Sequence, residues 1–205
     1  IDWTKTLINC RRIAPKMLMN IYAAVTRAWE VFGILIYTFR KWPFSLWLNF
    51  WLASKDDIII DLDGIKLAIR TKNIFTKSAD ISMAYECIVR DDYQLKNLGI
   101  ADKSIIIDIG GHIGSFSLAA SRRFPTAKIL CFEPSPLSYQ ILKKNIALNN
   151  SKNIRMFNKA VSSLNGKISI YIDRINSAAD SIYKSDGLEI KVSSITLEKI
   201  FRDNK

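Results

Sequence analysis

The pattern of apolar and polar positions is most regular in the second half of the chain. Short apolar, β-branched runs alternate there with stretches that repeat at helical spacing, and the connections are brief. The pattern predicts, in order, strand 104–109, helix 114–123, strand 128–133, helix 136–149 and strand 154–158. Two more strand-like runs, 166–173 and 188–195, and a short helix, TLEKIFRDN, come after them. Alternation of this kind predicts an α/β fold with a parallel sheet.

The N-terminal part of the chain has a helical pattern instead. In residues 17–54 the polar side chains, among them Thr38 and Lys41, fall within a sector of roughly 120° on a helical wheel. Pro43 interrupts the repeat, and the apolar run 31–39 is much shorter than the ~20 residues that span a bilayer. We expect an amphipathic helical hairpin rather than a transmembrane helix. It lies either in a membrane interface or against the following domain, and the pattern leaves both placements open.

A second motif links these two parts. Residues 56–71 hold two β-rich runs around Asp63-Gly64, which predicts a β-hairpin. Residues 79–98 then predict a helix that leads into the α/β region.

The charge of the chain is concentrated near its N-terminus. The formal net charge is +11, and residues 1–54 carry seven Lys and Arg against two acids together with all five tryptophans. A basic, aromatic and apolar segment is typical of a surface that contacts anionic lipid. Nucleic acid is the competing partner, but the sequence has no recognition motif for it. We therefore expect no nucleic-acid partner and peripheral contact with an anionic membrane.

The cysteine and histidine content limits two kinds of chemistry. Cys10, Cys87 and Cys131 have no paired spacing, which predicts free thiols in a reducing compartment and favours a cytoplasmic protein. His112 is the single histidine, which rules out a zinc site built on two or more histidines. We expect no metal.

A glycine loop follows the first strand of the α/β region. The β-branched run 105–107 predicts a strand buried on both faces, and Gly110, Gly111 and Gly114 then allow a backbone to approach a ligand. Asp108, just ahead of them, would repel a pyrophosphate and attract a cation. The glycines also span five residues, whereas the dinucleotide motif spans six. The loop favours a cationic ligand with an amino-acid tail.

The second strand supplies the other half of a binding site. It ends at Glu133, and an acid at this place in an α/β fold binds the two hydroxyls of a ribose. A nucleoside with a positive centre and no phosphate satisfies both ends. The cofactor predicted from these residues is S-adenosylmethionine.

Four segments carry a resemblance to a known family: IIIDIGGHIGSFSLAAS, CFEPSPLSYQILKKNIALNN, FNKAVSSLNGKISIYID and VSSITLEKIF. Together they resemble the FkbM-type S-adenosylmethionine-dependent methyltransferases, over about residues 56 to 203. That family's loop usually reads D-x-G-A-N-x-G, so Gly111 and His112 depart from its usual Ala and Asn. The resemblance implies that a first group of residues lines the methionine end of the cofactor, Glu133 the ribose and a last group the adenine. The first group is Asp108, Gly110, Gly111 and Gly114, and the last is the segment Asn158-Lys159-Ala160. His112, in the same loop, is also expected to bind the cofactor.

The resemblance also implies a reaction. Members of the family methylate a hydroxyl, commonly of a sugar, a polyketide or a related small molecule, so the expected partner is a small-molecule or glycan acceptor. The family continues past TLEKIF into a strand and a D-x-E-G-x-E motif, whereas this sequence stops at Lys205. We therefore expect a C-terminally incomplete class I methyltransferase (Rossmann-like) sheet and assign no catalytic residue.

The expected organisation has three parts. Residues 1–54 form the basic, aromatic-rich helical segment, residues 55–103 the hairpin and helix, and residues 104–205 the N-terminal part of a methyltransferase domain. Two other functions stay open. An NAD-dependent oxidoreductase also places an acid after its second strand, and a non-catalytic, membrane-associated module could retain the same fold.

Overall fold

The structure of the protein, a computed structural model, describes residues 31–52, 57–172 and 187–204. The chain divides into two compact units between Asn49 and Phe50. None of the helices within the described ranges is long and apolar enough to cross a membrane.

The first described segment, residues 31–52, contains a helical pair. Residues 31–41 are helical (α1). The helix is interrupted at Trp42 and Pro43, and a second helix (α2) runs over Phe44–Leu52. The break at Pro43 confirms the prediction, because proline has no N–H to donate to the preceding turn. The rings of Phe39 and Trp47 meet edge-on, with centroids 5.5 Å apart, and bring the two helices together. The rest of the predicted hairpin, in residues 17–30, lies outside the described residues.

The exposed face of α1 differs from the one that the helical wheel predicts. Thr38, expected in the polar sector, is completely buried, and its hydroxyl donates to the Ile34 carbonyl over 2.8 Å. Phe32, Ile36 and Phe39 are exposed instead. A threonine hydroxyl that bonds to its own helix needs no water, so Thr38 can be buried while apolar side chains face outward.

The second unit begins with the predicted hairpin. Strand β1, Ile58–Leu62, pairs antiparallel with β2, Ile65–Ile69. Asp63 and Gly64 between them have φ of 49° and 84°, the pair of left-handed residues that a type I′ turn requires. The Gly64 N–H donates to Asp61 Oδ1 over 2.7 Å. The Asp-Gly prediction is confirmed.

The free side of β2 is bound by side chains rather than by a strand. Asn145 accepts a bond from the Ala68 N–H over 2.7 Å, and Asn149 accepts from the Lys66 N–H over 2.9 Å and donates to the Lys66 carbonyl over 2.7 Å. Asn145 also donates to the Ile113 carbonyl over 2.9 Å. Both asparagines belong to one helix region that begins at Pro136, so the hairpin is fastened to it.

The helix predicted over 79–98 has different bounds. Helix α3 runs over Ile74–Ala84, because Asn73 caps it by accepting from the Phe75 N–H over 2.8 Å. A π-helical turn, Tyr85–Arg90, continues it and ends at Asp91, which is left-handed with φ of 58°. Only a 3-10 turn, Leu95–Asn97, follows.

The α/β region has the predicted alternation. Strands β3, Ile105–Ile109, β4, Lys128–Phe132, and β5, Ile154–Phe157, form a parallel sheet in the order β3-β4-β5. Helices α4, Ser115–Arg123, and α5, Pro136–Leu148, connect them. The α/β fold with a parallel sheet is confirmed.

The prediction that β3 is buried on both faces is wrong. Ile105 is 42% exposed and Ile109 is 54% exposed. Within the described residues β3 is at one edge of its sheet, next to β4 alone. An edge strand has fewer neighbours to cover its side chains.

A second sheet follows in the chain. Strands β6, Ala160–Val161, β7, Gly166–Ile172, and β8, Leu188–Ile195, have the order β6-β8-β7, and β7 is antiparallel to β8. Helix α6, Leu197–Arg202, is capped by the Thr196 hydroxyl. The two strand-like runs and the short helix were predicted; β6 was not, because two residues show no periodicity.

Candidate cofactor-binding site

The loop 110–114 follows β3 at the carboxyl end of the parallel sheet, where α/β folds bind ligands. A cavity of about 210 Å³ lies there. Four of the predicted site residues line it: Asp108, Gly110, Gly111 and His112. Apolar residues from upstream of the loop, among them Met83 and Cys87, line it as well.

The three glycines serve three different purposes. Gly110 has φ of +82°, and a methyl group added there would meet nothing within 4 Å, so the backbone is open. A methyl group on Gly111 would lie 2.1 Å from Cys131 Sγ. One on Gly114 would lie 2.6 Å from Leu142 Cδ1, where α4 approaches α5. Gly114 thus serves helix packing and is not among the residues that line the cavity.

Asp108 is buried and partly engaged. Its Oδ2 accepts from the Ser117 hydroxyl over 2.6 Å and from the Cys131 thiol over 3.5 Å. Burial raises the pKa of Asp108, and the two hydrogen bonds oppose that rise. A cation in the cavity would favour the ionised carboxylate further.

Glu133 is held beside the loop by backbone donors. It follows β4 directly, its Oε2 accepts from the His112 N–H over 2.7 Å, and its Oε1 accepts from the Ser135 N–H over 2.8 Å. Glu133 is 6% exposed and is not among the residues that line the cavity. The sequence pattern placed this acid at the strand tip but did not predict its bond to the loop.

The last two predicted residues lie beyond β5. Asn158 donates to the carbonyls of Glu133 and Pro134, over 2.8 and 3.1 Å, so the structure brings it next to the acid. Ala160 is buried in a core cluster with Ile170 and Val192. Neither residue lines the cavity, and their role at an adenine stays a prediction.

Ser115 was missed by the sequence analysis. It is the first residue of α4, it lines the cavity, and it is 4% exposed. Its hydroxyl has no hydrogen-bond partner within the described part of the chain. The available signal was a serine directly after the last glycine of the loop, at a helix N-terminus. Such a hydroxyl, beside the unsatisfied N–H groups of the first helical turn, suits a carboxylate.

His112 is fixed by residues that the sequence did not single out. Its φ is +48°, a left-handed conformation that Asn and His adopt more readily than most residues. Its Nε2 lies 2.9 Å from Arg70 Nη2, and Arg70 pairs with the completely buried Asp80. Burial lowers the pKa of His112 to about 4; Asp80 raises it and Arg70 lowers it further.

The cysteines within the described ranges are Cys87 and Cys131, and both are free and buried. Burial raises the pKa of Cys87 to about 12 and raises that of Cys131 as well. Cys10 lies outside the described residues. No cluster of three metal-ligating side chains occurs in the residues that the structure describes.

The parallel sheet has an acid and a glycine loop at the end of its first strand and an acid directly after its second, an arrangement that matches a class I methyltransferase fold. Residues 108–205 match the family described as the methyltransferase FkbM domain. The matched residues make up just under half of the chain. The cofactor that the matched family implies is S-adenosylmethionine.

Two curated relatives are similar over short segments. Methyltransferase sdnD of Sordaria araneosa is 46% identical over 59 residues, 29% of this chain. Methyltransferase 1 of Beauveria bassiana (strain ARSEF 2860) is 39% identical over 54 residues, 26% of this chain. The chain matches 22% of the length of each of these relatives.

Solved structures are similar at low identity. TYW2 of P. horikoshii in complex with MeSAdo is 21% identical with a TM-score of 0.38, over 56% of this chain and 40% of that one. Methyltransferase FkbM of Methylobacillus flagellatus KT is 14% identical with a TM-score of 0.36, over 51% of this chain and 24% of that one.

Proposed function

We propose that the protein is an S-adenosylmethionine-dependent methyltransferase that methylates a hydroxyl on a small-molecule or glycan acceptor, such as a sugar or a polyketide. The observation that carries the proposal is the coincidence of two features. The family match, residues 108–205, includes Asp108 and the loop 110–114, and Asp108, Gly110, Gly111 and His112 line the cavity. An NAD-dependent oxidoreductase, the alternative, has no comparable support.

Ser115 and Asp108 suit the methionine end of the cofactor. The unpartnered Ser115 hydroxyl and the N-terminus of α4 would bind the carboxylate. The buried Asp108 carboxylate would bind the ammonium group, and the open backbone at Gly110 leaves room for the ligand. When bound, S-adenosylmethionine supplies an electrophilic methyl group on a positively charged sulfur.

Glu133 suits the ribose. Its oxygens accept hydrogen bonds from the His112 and Ser135 backbone N–H groups, and a carboxylate is an acceptor of the kind that ribose hydroxyls need. The backbone donors hold the carboxylate in one position, so less freedom is lost when ribose hydroxyls bind. Asn158, bonded to the Glu133 carbonyl, would mark the adenine side.

Residues upstream of the loop, together with Phe116 of α4, would form the acceptor side. Tyr93 and Phe116 both line the cavity, with ring centroids 4.9 Å apart. Burial raises the pKa of Tyr93 and raises that of Cys87 to about 12, so both stay protonated at neutral pH. Neither group is a general base there. Their contribution would be to orient the acceptor and exclude water, since aligned reactants account for much of the catalysis of such a displacement.

Calorimetry on the full-length protein tests the cofactor site. We expect S-adenosylhomocysteine to bind and Glu133→Ala to weaken binding by about ten- to a hundredfold, because a hydrogen bond to a charged group contributes roughly 1.5–3 kcal/mol. Glu189→Ala, at an exposed position of β8, is the matched control and should bind like the parent. Tight binding of NAD without binding of S-adenosylhomocysteine would refute the proposed S-adenosylmethionine site.

We also propose peripheral contact with an anionic membrane through the first unit. Phe32, Ile36 and Phe39 are exposed at helical spacing along one face of α1, and Phe44 is exposed at the start of α2. Arg40 and Lys41 are exposed beside them, and residues 31–49 contain no acid. An apolar face next to basic side chains is suited to the interface of a bilayer with negative headgroups.

Liposome flotation tests this contact. We expect full-length protein to float with vesicles that contain phosphatidylserine, less at high salt, and Phe32→Ser/Phe39→Ser to reduce flotation severalfold. Phe201→Ser, an equally exposed position of α6, is the matched control. Resistance to both high salt and carbonate would contradict the proposal and favour insertion. Flotation without cofactor binding would favour a non-catalytic module.

A further inference from the structure

We propose that Arg70 and Asp80 are positioning residues of the loop 110–114: they hold His112 as a neutral imidazole with its proton on Nδ1 and thereby fix the shape of the loop. Both residues lie upstream of the family match, which begins at residue 108. The effect on cofactor binding rests on the proposed function, whereas the effect on the imidazole and the loop does not.

The Arg70–Asp80 pair is rigid. Arg70 Nε donates to Asp80 Oδ2 over 2.9 Å, Nη2 donates to Oδ1 over 2.5 Å, and the Arg70 backbone N–H donates to Oδ2 over 3.1 Å. Arg70 Nη1 also donates to the Ser138 hydroxyl in α5 over 3.3 Å. A two-pronged ion pair with a completely buried aspartate leaves the guanidinium one orientation.

The position of the guanidinium decides the tautomer of His112. Arginine is always protonated and has only donors, so its Nη2 must donate where it lies 2.9 Å from His112 Nε2. Nε2 must therefore offer its lone pair and carry no proton. A proton on Nε2 would point to Asp80 Oδ1, 3.4 Å away, only if the guanidinium moved. The neutral ring then has its proton on Nδ1.

The same contact holds a strained residue in place. His112 has φ of +48°, which costs energy for a residue with a side chain. Two groups hold it there, Glu133 at the backbone N–H over 2.7 Å and Arg70 at the side chain. Arg70 and Asp80 are charged groups at the ring, and Glu133 is bonded to the backbone N–H. Because His112 lines the cavity next to Gly110 and Gly111, its position sets the wall on which a ligand would bind.

Nitrogen NMR on the unaltered protein tests the tautomer without any structural perturbation. The resonances of His112 are identified by their loss in His112→Asn. We expect Nε2 in the range of an unprotonated nitrogen and Nδ1 in the range of a protonated one at neutral pH. A protonated Nε2 would overturn the proposal.

Arg70→Met then tests the cause. We expect the pKa of His112 to rise above its value of about 4, because Asp80 is left as its neighbour. We also expect amide exchange at residues 110–114 to speed up at least tenfold, and S-adenosylhomocysteine to bind about ten times more weakly. Arg70→Lys keeps the positive charge, so each of these three changes should be smaller than in Arg70→Met. Arg90→Met removes an exposed pair with Asp92 and should change none of them.

The outcomes separate the two proposals. An unchanged pKa of His112 and unchanged loop exchange in Arg70→Met would refute the positioning role, whatever binds. If the parent binds no S-adenosylhomocysteine although the pKa and the exchange respond as expected, the proposed cofactor site fails and the positioning of His112 stands. If Arg70→Met does not fold, the positioning role is tested by the same measurements on Arg70→Lys and by the His112 tautomer of the parent protein.

Discussion

Gly111 is determined by the side chain of a neighbouring strand. Its φ is not left-handed, so backbone conformation does not require a glycine. The requirement comes from Cys131 of β4, whose Sγ would lie 2.1 Å from an added methyl group. The family that the loop resembles usually has alanine here, and Cys131 explains why this chain does not.

We predict that Gly111→Ala lowers the free energy of unfolding by about 1–3 kcal/mol, the usual cost of overpacking a buried site. Cys131→Ala in the same chain removes the sulfur and should recover most of that loss. Urea unfolding of the two single variants and the double variant measures the coupling. Additive effects of the two substitutions would show that the clash is relieved elsewhere.

His112 makes stability depend on pH. Burial lowers its pKa from 6.5 to about 4, so between these values the unfolded chain binds more protons than the folded one. The contribution of the neutral His112 ring to the free energy of unfolding is fully present above pH 6.5. It is lost as the pH falls towards 4, and the loss reaches about 2 kcal/mol at pH 5. Asp108, whose pKa is raised by burial, acts in the opposite direction.

We predict that the stability difference between the parent and His112→Asn shifts by about 2 kcal/mol in favour of the variant when the pH is lowered from 7 to 5. Both proteins contain Asp108, so its contribution cancels. Urea unfolding at the two pH values provides the measurement. An equal change with pH in both proteins would mean that His112 is not buried as a neutral ring.

At the scale of elements, Asn145 and Asn149 fasten the hairpin β1–β2 to α5. Asn145 lies in α5, and Asn149, four residues later, is the C-cap residue directly after it; they bond to Ala68 and Lys66, two residues apart on β2. The spacing works because positions i and i+4 of a helix share a face, as do positions i and i+2 of a strand. Asn145 is completely buried, whereas Asn149 bonds at the surface.

We predict unequal costs for the two asparagines. Asn145→Leu leaves the buried Ala68 N–H and Ile113 carbonyl without their partner and should lower the free energy of unfolding by about 2–4 kcal/mol. Asn149→Leu exposes its partners to water and should cost less than about 1 kcal/mol. Denaturant titration of both variants measures the difference. Equal losses would contradict the assignment of burial as the cause.

The elements were predictable where local pattern and packing agree. The strands and helices from residue 104 to 158 follow β-branched runs, helical repeats and turn residues, and the structure has them within about two residues of the prediction. The helix over 79–98 was misplaced because its cap, Asn73, precedes the apolar repeat and its end depends on a left-handed Asp91. A single residue can move a helix end in this way.

The site was predictable only in part. Asp108 and the loop glycines are adjacent in sequence, so their grouping follows from the chain itself. Arg70 and Asp80 meet His112 through the packing of a hairpin and a helix on the loop, and no spacing along the chain indicates that contact. Thr38 was placed on the wrong face because its hydroxyl bonds within its own helix.

For the whole molecule, the candidate site draws on more of the chain than the part that carries the family match. The match starts at residue 108, whereas the loop is contacted by Arg70 and the cavity is lined by Met83. Arg70 and Met83 are therefore part of the candidate site although they lie upstream of the match. The division of the chain after residues 54 and 103 stays a prediction from the sequence.

The asparagines on α5 also affect how copies of the protein meet. A strand with unoccupied N–H and C=O groups can take up a strand of another molecule, which is a common start of aggregation. On β2 those groups are occupied by Asn145 and Asn149, so another chain cannot extend the hairpin from that side. These two side chains thus prevent the addition of a strand from another molecule, although no third strand among the described residues covers this edge of the hairpin.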